Sequence, residues 1–263
     1  MAGDAGPLII EADGGRVRLV VSPADGGRLT SFVVDEHELL VTEGFGPIRW
    51  GSYPMVPFAG RIRDGRFTFR GRDVVLPLNL PPNAIHGTVF VRPWQVDGPD
   101  AMSIDLGPDW PFAGRVTQRF DLGAERLDVE LVLEADEAMP ATIGWHPWFR
   151  RPVILDIAPR RMVERGPDGL PTGRLIEPTP RPWDDCVIEL AAPPRLRWSH
   201  GLTLEITSSA DHWVVYDESE DGVCVEPQTG PPDAVNVLTT RPAGVVEPGR
   251  SLQATMTWRW RRD

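Results

Sequence analysis

Glycine and proline punctuate this chain from end to end, 26 and 28 of them in 263 residues. Together they make about a fifth of the sequence, against roughly 12% in an average globular protein. An interior glycine costs a helix about 1 kcal/mol and a proline about 3 kcal/mol, and no window of ten or more residues free of both carries a convincing helical period. Between the breaks the apolar period is two. In RLDVELVLEA, Leu127, Val129, Leu131 and Leu133 point one way, and Arg126, Asp128, Glu130 and Glu134 mostly the other, as in a half-buried strand. LTLEIT (Leu202, Leu204, Ile206) and MSIDL (Met102, Ile104, Leu106) repeat the pattern. The closing ATMTWRWRR is basic and aromatic, but Met256, Trp258 and Trp260 alternate strictly with Thr257, Arg259 and Arg261, so a strand is expected there rather than a nucleic-acid-binding tail. Many short strands at turn-rich spacing predict an all-β sandwich or barrel. No composition break divides the chain, no internal repeat is evident, and PFAGR at 57–61 and 111–115 has different flanks. One domain over residues 1–263 is expected.

The charge balance removes several function classes. With 27 basic and 38 acidic residues the net charge is −11, which disfavours nucleic acid and anionic membrane surfaces. Two cysteines, Cys186 and Cys224, are too few for a disulfide framework in a chain of this length. The opening MAGDAGPLIIEADGG lacks the basic segment and long apolar run of a signal peptide. The longest uncharged stretch, Val74 to Val91, contains Pro77, Pro81 and Pro82 and is no membrane helix. A soluble, cytoplasmic protein is expected.

Few residues could carry chemistry. Of the five histidines, His37 in VDEHELL and His200 in RWSHGL are expected in solvent, and His212 in SADHWVVY as a structural residue. His86, in PPNAIHGTVF, precedes Gly87, which permits close approach of a backbone or ligand. His146, in GWHPWFRR, precedes Pro147, which predicts a strand end. Glu226, in CVEPQTGPPDAVN, follows a short apolar run and is trailed by Pro227, Pro231 and Pro232; it too is expected at a strand end, partly desolvated, with a raised pKa. Each has a structural alternative, as a satisfied core imidazole or an edge carboxylate paired with arginine.

Two histidines and one carboxylate fit three chemistries. One is a facial-triad metal site, but such triads commonly place two ligands close in sequence, and these three lie far apart. Nucleophilic catalysis needs a thiol or hydroxyl beside a base. Cys224 lies two before Glu226 and Cys186 two after Asp184, so each would share a strand face with its acid, although small buried thiols are the simpler reading. The third is acid–base catalysis, which needs neither cofactor nor covalent intermediate.

In order along the chain, YPMVPFAGRI (53–62), IHG (85–87), MPATIGWHPWF (139–149), WDDC (183–186) and VEPQTGPPDAVN (225–236) resemble five segments of the aldose 1-epimerase (galactose mutarotase) family. The last string is long enough to be specific, whereas IHG or WDDC alone would mean little. The resemblance implies a large antiparallel β-sandwich that interconverts the α and β anomers of a free aldose through the open-chain form, without metal or cofactor. It implies Glu226 as the base at O1, His146 as the acid at the ring oxygen, and His86 as a polarising group near that oxygen. Arg61 and Asp184 would hold sugar hydroxyls. Gln228 would add a hydroxyl contact, with a turn-stabilising role as its alternative. Trp148 and Trp145 could stack on the sugar, at least one of them being core. The prolines would stiffen the chain behind Glu226.

Two departures bear on the substrate. Gly60 stands where the family usually carries Asn, which removes one sugar contact. Phe90, with Arg92 two further on, stands where a phosphohexose branch carries Arg, which lowers the expectation of a hexose 6-phosphate. A phosphosugar mutarotase and a non-catalytic carbohydrate-binding protein on the same scaffold are the alternatives. The expected partner is a small sugar, bound by a monomer or homodimer.

Overall fold

The computed structural model describes residues 6–237 and 242–262. Among them the only helical pieces are 3-10 turns at Asp13–Gly15 and Arg63–Gly65, and none is long and apolar enough to cross a membrane. Two large antiparallel sheets carry the architecture. The larger, of eleven strands, runs in the spatial order Leu8–Ala12, Val17–Ser22, Arg28–Val34, Ser52–Met55, Gly144–Arg150, Gly222–Gln228, His212–Tyr216, Asp184–Leu190, Pro159–Arg165, Pro171–Ile176. The short strand His37–Glu38 hangs on Arg28–Val34. The smaller, of eight strands, runs Gln95–Val96, Ala101–Asp105, Gly114–Leu122, Arg126–Ala135, Ser251–Arg262, Leu202–Ser208, Arg195–Arg197, Ile154–Asp156. The all-β sandwich expected from the sequence is therefore what forms.

One face of the larger sheet packs on the smaller one. Phe32, Trp145, Phe149 and Val225 join Leu131, Met256 and Trp258 in one buried apolar cluster. Phe32 and Phe149 lie 5.3 and 5.1 Å from the Trp258 ring, centroid to centroid, and Trp145 Nε1 donates to Gln118 Oε1 at 3.1 Å. Fully burying such a side chain contributes about 1.5–3 kcal/mol. Trp145 is thus the core member of the tryptophan pair. The closing strand lies centrally in the smaller sheet, with Met256, Trp258 and Trp260 buried and Arg259 exposed.

The other face of the larger sheet is covered too. Tyr53, Phe90, Trp148 and Cys224 form a second cluster, and Val163, Cys186 and Val214 a third. Consequently Gly222–Gln228 is buried at every position, and a strand covered on both faces shows no polar–apolar alternation.

Pro147 and Pro227 correct the expectation of strand ends, because both lie inside strands. The ladder between the two strands pairs Gly144 with Gln228 and resumes at Trp148–Cys224 in the same register, with no pairs between. Two prolines, each lacking an N–H, leave the ladder open in mid-strand. His146 and Glu226 occupy that gap.

Candidate active site

Register brings together residues that are distant in sequence. Tyr53 pairs with His146, the register across the next strand sets His146 opposite Glu226, and Glu226 pairs with Val214. His146 Nε2 lies 3.2 Å from Glu226 Oε1. The Tyr53 ring stacks on His146 at 4.8 Å, and Trp148 stacks on it at 5.7 Å. The His86 ring approaches His146 edge-on, 4.9 Å away. These residues meet at a cavity of about 560 Å³ that His86, His146, Trp148 and Glu226 line together with Arg61 and Asp184. That volume suits a small ligand.

Local sequence explains how each group is held. His86 has a φ of 61° and Gly87 one of 82°. A Cβ at Gly87 would meet the Val56 carbonyl oxygen at 1.9 Å, so only glycine fits behind the histidine. His86 N donates to Gly60 O at 2.9 Å, and Arg61–Ile62 pairs with Ala84–Ile85, which sets Arg61 beside His86. The tail of VEPQTGPPDAVN anchors the same segment. Asp233 N donates to Arg61 O at 2.7 Å, while Arg63 N and Asn236 Nδ2 donate to Asp233 Oδ1 at 3.0 and 2.7 Å. Asn236 Nδ2 also donates to Arg66 O at 2.9 Å. That string therefore holds both Glu226 and the arginine segment.

Asp184 is shared by two guanidinium groups, Arg61 Nη2 at 3.4 Å and Arg165 Nη1 at 2.9 Å, and Arg165 Nε reaches Asp185 Oδ1 at 3.2 Å. Arg165 lines the cavity but carries no motif of its own in RRMVER. Only strand pairing across the sheet brings it there. Tyr53 lies within a quoted segment, yet nothing in the string marks its stacking role.

Gln228 and Phe90 fall outside the cavity lining, and Gly60 falls within it. Gln228 shares a strand with Glu226 but is fully buried and does not line the cavity. Phe90 is buried against Tyr53, ring centroids 5.1 Å apart, and Arg92 Nη1 donates to the carbonyls of Asp105 and Leu106 at 2.9 and 2.7 Å. Gly60 lines the cavity with a φ of 70°, and a Cβ there would meet Pro232 at 2.8 Å, so proline fills the space a side chain would need. Of the remaining histidines, His37 and His200 stack at 3.8 Å on the surface, while His212 is buried.

Burial dominates the electrostatics. It pushes the Glu226 carboxyl well above the usual range, with Asp184 adding to the rise and Arg61 opposing it. It pushes His146 down to about 3, helped by Arg28, and His86 well below its usual range, helped by His146 and Arg61. An ordinary imidazole is more basic than an ordinary carboxylate by about two units. Burial narrows or inverts that gap. The carboxyl is moved up and the imidazole down, each toward the other's ordinary range.

His146, Cys224 and Glu226 place ligand atoms within 4.8 Å of one another. Burial raises both the Glu226 carboxyl and the Cys224 thiol, which disfavours the deprotonated forms that a metal would bind. Burial also raises Cys186, so neither thiol is poised as a thiolate nucleophile.

The chain matches the aldose 1-epimerase family over residues 9–193 and belongs to that family. It is 34% identical to the uncharacterised protein YphB of Escherichia coli K12 over 104 residues, 37% of this chain and 36% of that protein. Its fold is similar to a candidate aldose 1-epimerase from Escherichia coli K12 (TM-score 0.84, 21% identity, 98% of this chain and 99% of the other). It is also similar to galactose 1-epimerase from Lactobacillus acidophilus (TM-score 0.78, 17% identity, 97% and 93%).

Proposed function

We propose that this protein is an aldose 1-epimerase that interconverts the anomers of a free aldose by acid–base catalysis. The single observation that carries this reading is the contact between His146 Nε2 and Glu226 Oε1, 3.2 Å apart at a sugar-sized cavity. O1 and the ring oxygen are both bonded to C1, so two groups this close can address both. In the ring-opening form Glu226 is a carboxylate and His146 an imidazolium. The carboxylate takes the proton from O1–H, and His146 gives one to the ring oxygen as the C1–O bond breaks. The aldehyde turns about C1–C2, and closure on its other face returns each proton by the reverse path. Each transfer contributes typically about 10²–10⁴-fold. His86, kept neutral, donates a hydrogen bond near the ring oxygen, and Arg61 and Asp184 hold hydroxyls.

Polarimetry on freshly dissolved α-D-glucose and α-D-galactose tests the reading. Decay faster than the buffer rate is expected, and equal rates over a panel of aldoses would remove it. A sugar that raises the melting temperature without anomer exchange would point to a binding protein instead. Arg49 favours a second reading, a phosphorylated aldose: it lines the cavity, is exposed, and has no carboxylate partner among the described residues. Comparing glucose with glucose 6-phosphate decides between the two.

A further inference from the structure

Arg28 is 1% exposed, and no salt bridge reaches it among the described residues. Its Nη1 donates to Trp50 O, and its Nη2 donates to Pro47 O at 2.6 Å. The guanidinium carbon lies 4.3 Å from the Trp50 ring centroid and 4.4 Å from that of Tyr53. A buried cation without an anion is among the costliest groups to place, and here two carbonyls and two aromatic faces compensate it.

We propose that Arg28 is a positioning residue of the candidate site, holding the cavity wall at Pro47–Trp50 and, through Tyr53, the surroundings of the His146 imidazole. This rests on the acid–base reading above. The wall segment belongs to no strand, so its carbonyls need other donors. Arg28 serves Pro47 and Trp50, while Tyr53 Oη and Trp148 Nε1 serve Ile48 at 3.1 and 2.7 Å. Pro47 and Ile48 line the cavity. Two of the three donors, Tyr53 and Trp148, stack on His146, and the third lies against Tyr53, so wall and imidazole share one support.

Arg28 also acts as a fixed charge. Leu29 pairs with Ser52 and Tyr53 with His146, so Arg28, Tyr53 and His146 form one cross-strand row, about 10 Å from first to last at two strand spacings. Other groups face the imidazole: Glu226 and Cys224 from the next strand, His86 and Arg61 from the hairpin at 61–86, and Trp148 from its own strand. Arg28 stays protonated at neutral pH, its pKa lowered only to about 10.

The test is NMR of histidine-labelled protein, reading the pH at which one-tenth of the His146 ring is protonated, assigned with His146→Gln. Arg28→Met is expected to raise that pH by about one unit, and Arg28→Lys, which keeps the charge, to leave it at the wild-type value. Where the methionine variant fails to fold, Arg28→Gln carries the same comparison. Folded Met or Gln variants with an unmoved His146 would overturn the proposal, as would a Lys variant that shifts as far as they do. If neither neutral variant folds, an upward shift in the Lys variant alone overturns it. The readout does not depend on activity, so an inactive wild-type protein would sink the catalytic reading and leave this result standing.

Discussion

The two faces of the larger sheet are built from the same strands and do opposite work. On one face Trp145, Phe149 and Val225 pack against the smaller sheet. On the other, one residue along in each strand, His146, Trp148 and Glu226 line a cavity. The first face holds apolar groups that water would reject. The second holds ionisable groups that water would have solvated, at a cost to stability. One set of hydrogen-bonded strands thus supplies a rigid core and, by the period of two, a row of strained protonation states.

Breaking the core face should have the largest effect on folding. Trp258→Ala removes the ring that Phe32 and Phe149 pack against and should cost about 3–5 kcal/mol, measured by urea unfolding. A loss below about 1 kcal/mol would mean that the interface repacks.

The cavity face should behave in the opposite sense. Glu226 binds its proton more tightly in the folded state, so its stabilising effect is complete below the ordinary carboxylate pKa and is lost as pH rises through the folded value. Glu226→Gln removes that penalty, and its melting temperature should exceed that of wild type by more at pH 8 than at pH 5. A variant less stable at both values contradicts the burial argument.

The imidazoles run the other way. His146, lowered to about 3, and His212, lowered to about 4, favour the folded state above the ordinary imidazole pKa, and that stability is lost as pH falls from about 6.5 toward those values. Wild-type stability should decline as pH is lowered from 7 to 4, and His212→Gln should flatten the decline. An unchanged slope would show that other groups drive acid unfolding.

The smallest effect is expected at the cavity wall. Arg165→Met frees Asp184 of one partly exposed ion pair. Such pairs are worth about 1 kcal/mol or less, so KM should rise at most several-fold with kcat nearly unchanged.

How much of this was legible in the sequence follows the same division. In the smaller sheet the strands of RLDVELVLEA and ATMTWRWRR could be read, because each keeps one wet face. The cavity strands could not, since both their faces are covered and Gly222–Gln228 is buried throughout. Pro147 and Pro227 pointed to strand ends because proline is rare within sheets, whereas here the pair opens a ladder between two central strands. His86, His146 and Glu226 stood out through their glycine and proline neighbours, and all three line one cavity. Arg165 and Arg28 did not stand out, because their places depend on non-local pairing that no local pattern encodes. Gln228 looked like a ligand by proximity to Glu226 but is fully buried and does not line the cavity.

The most direct test of the acid–base account is the initial rate of anomer exchange, by polarimetry, for wild type, Glu226→Gln and His146→Gln at equal folded concentration. The account predicts catalysis by wild type and a loss of about 10²–10⁴-fold in each variant, with native far-UV and near-UV circular dichroism. Full activity in either folded variant would contradict it.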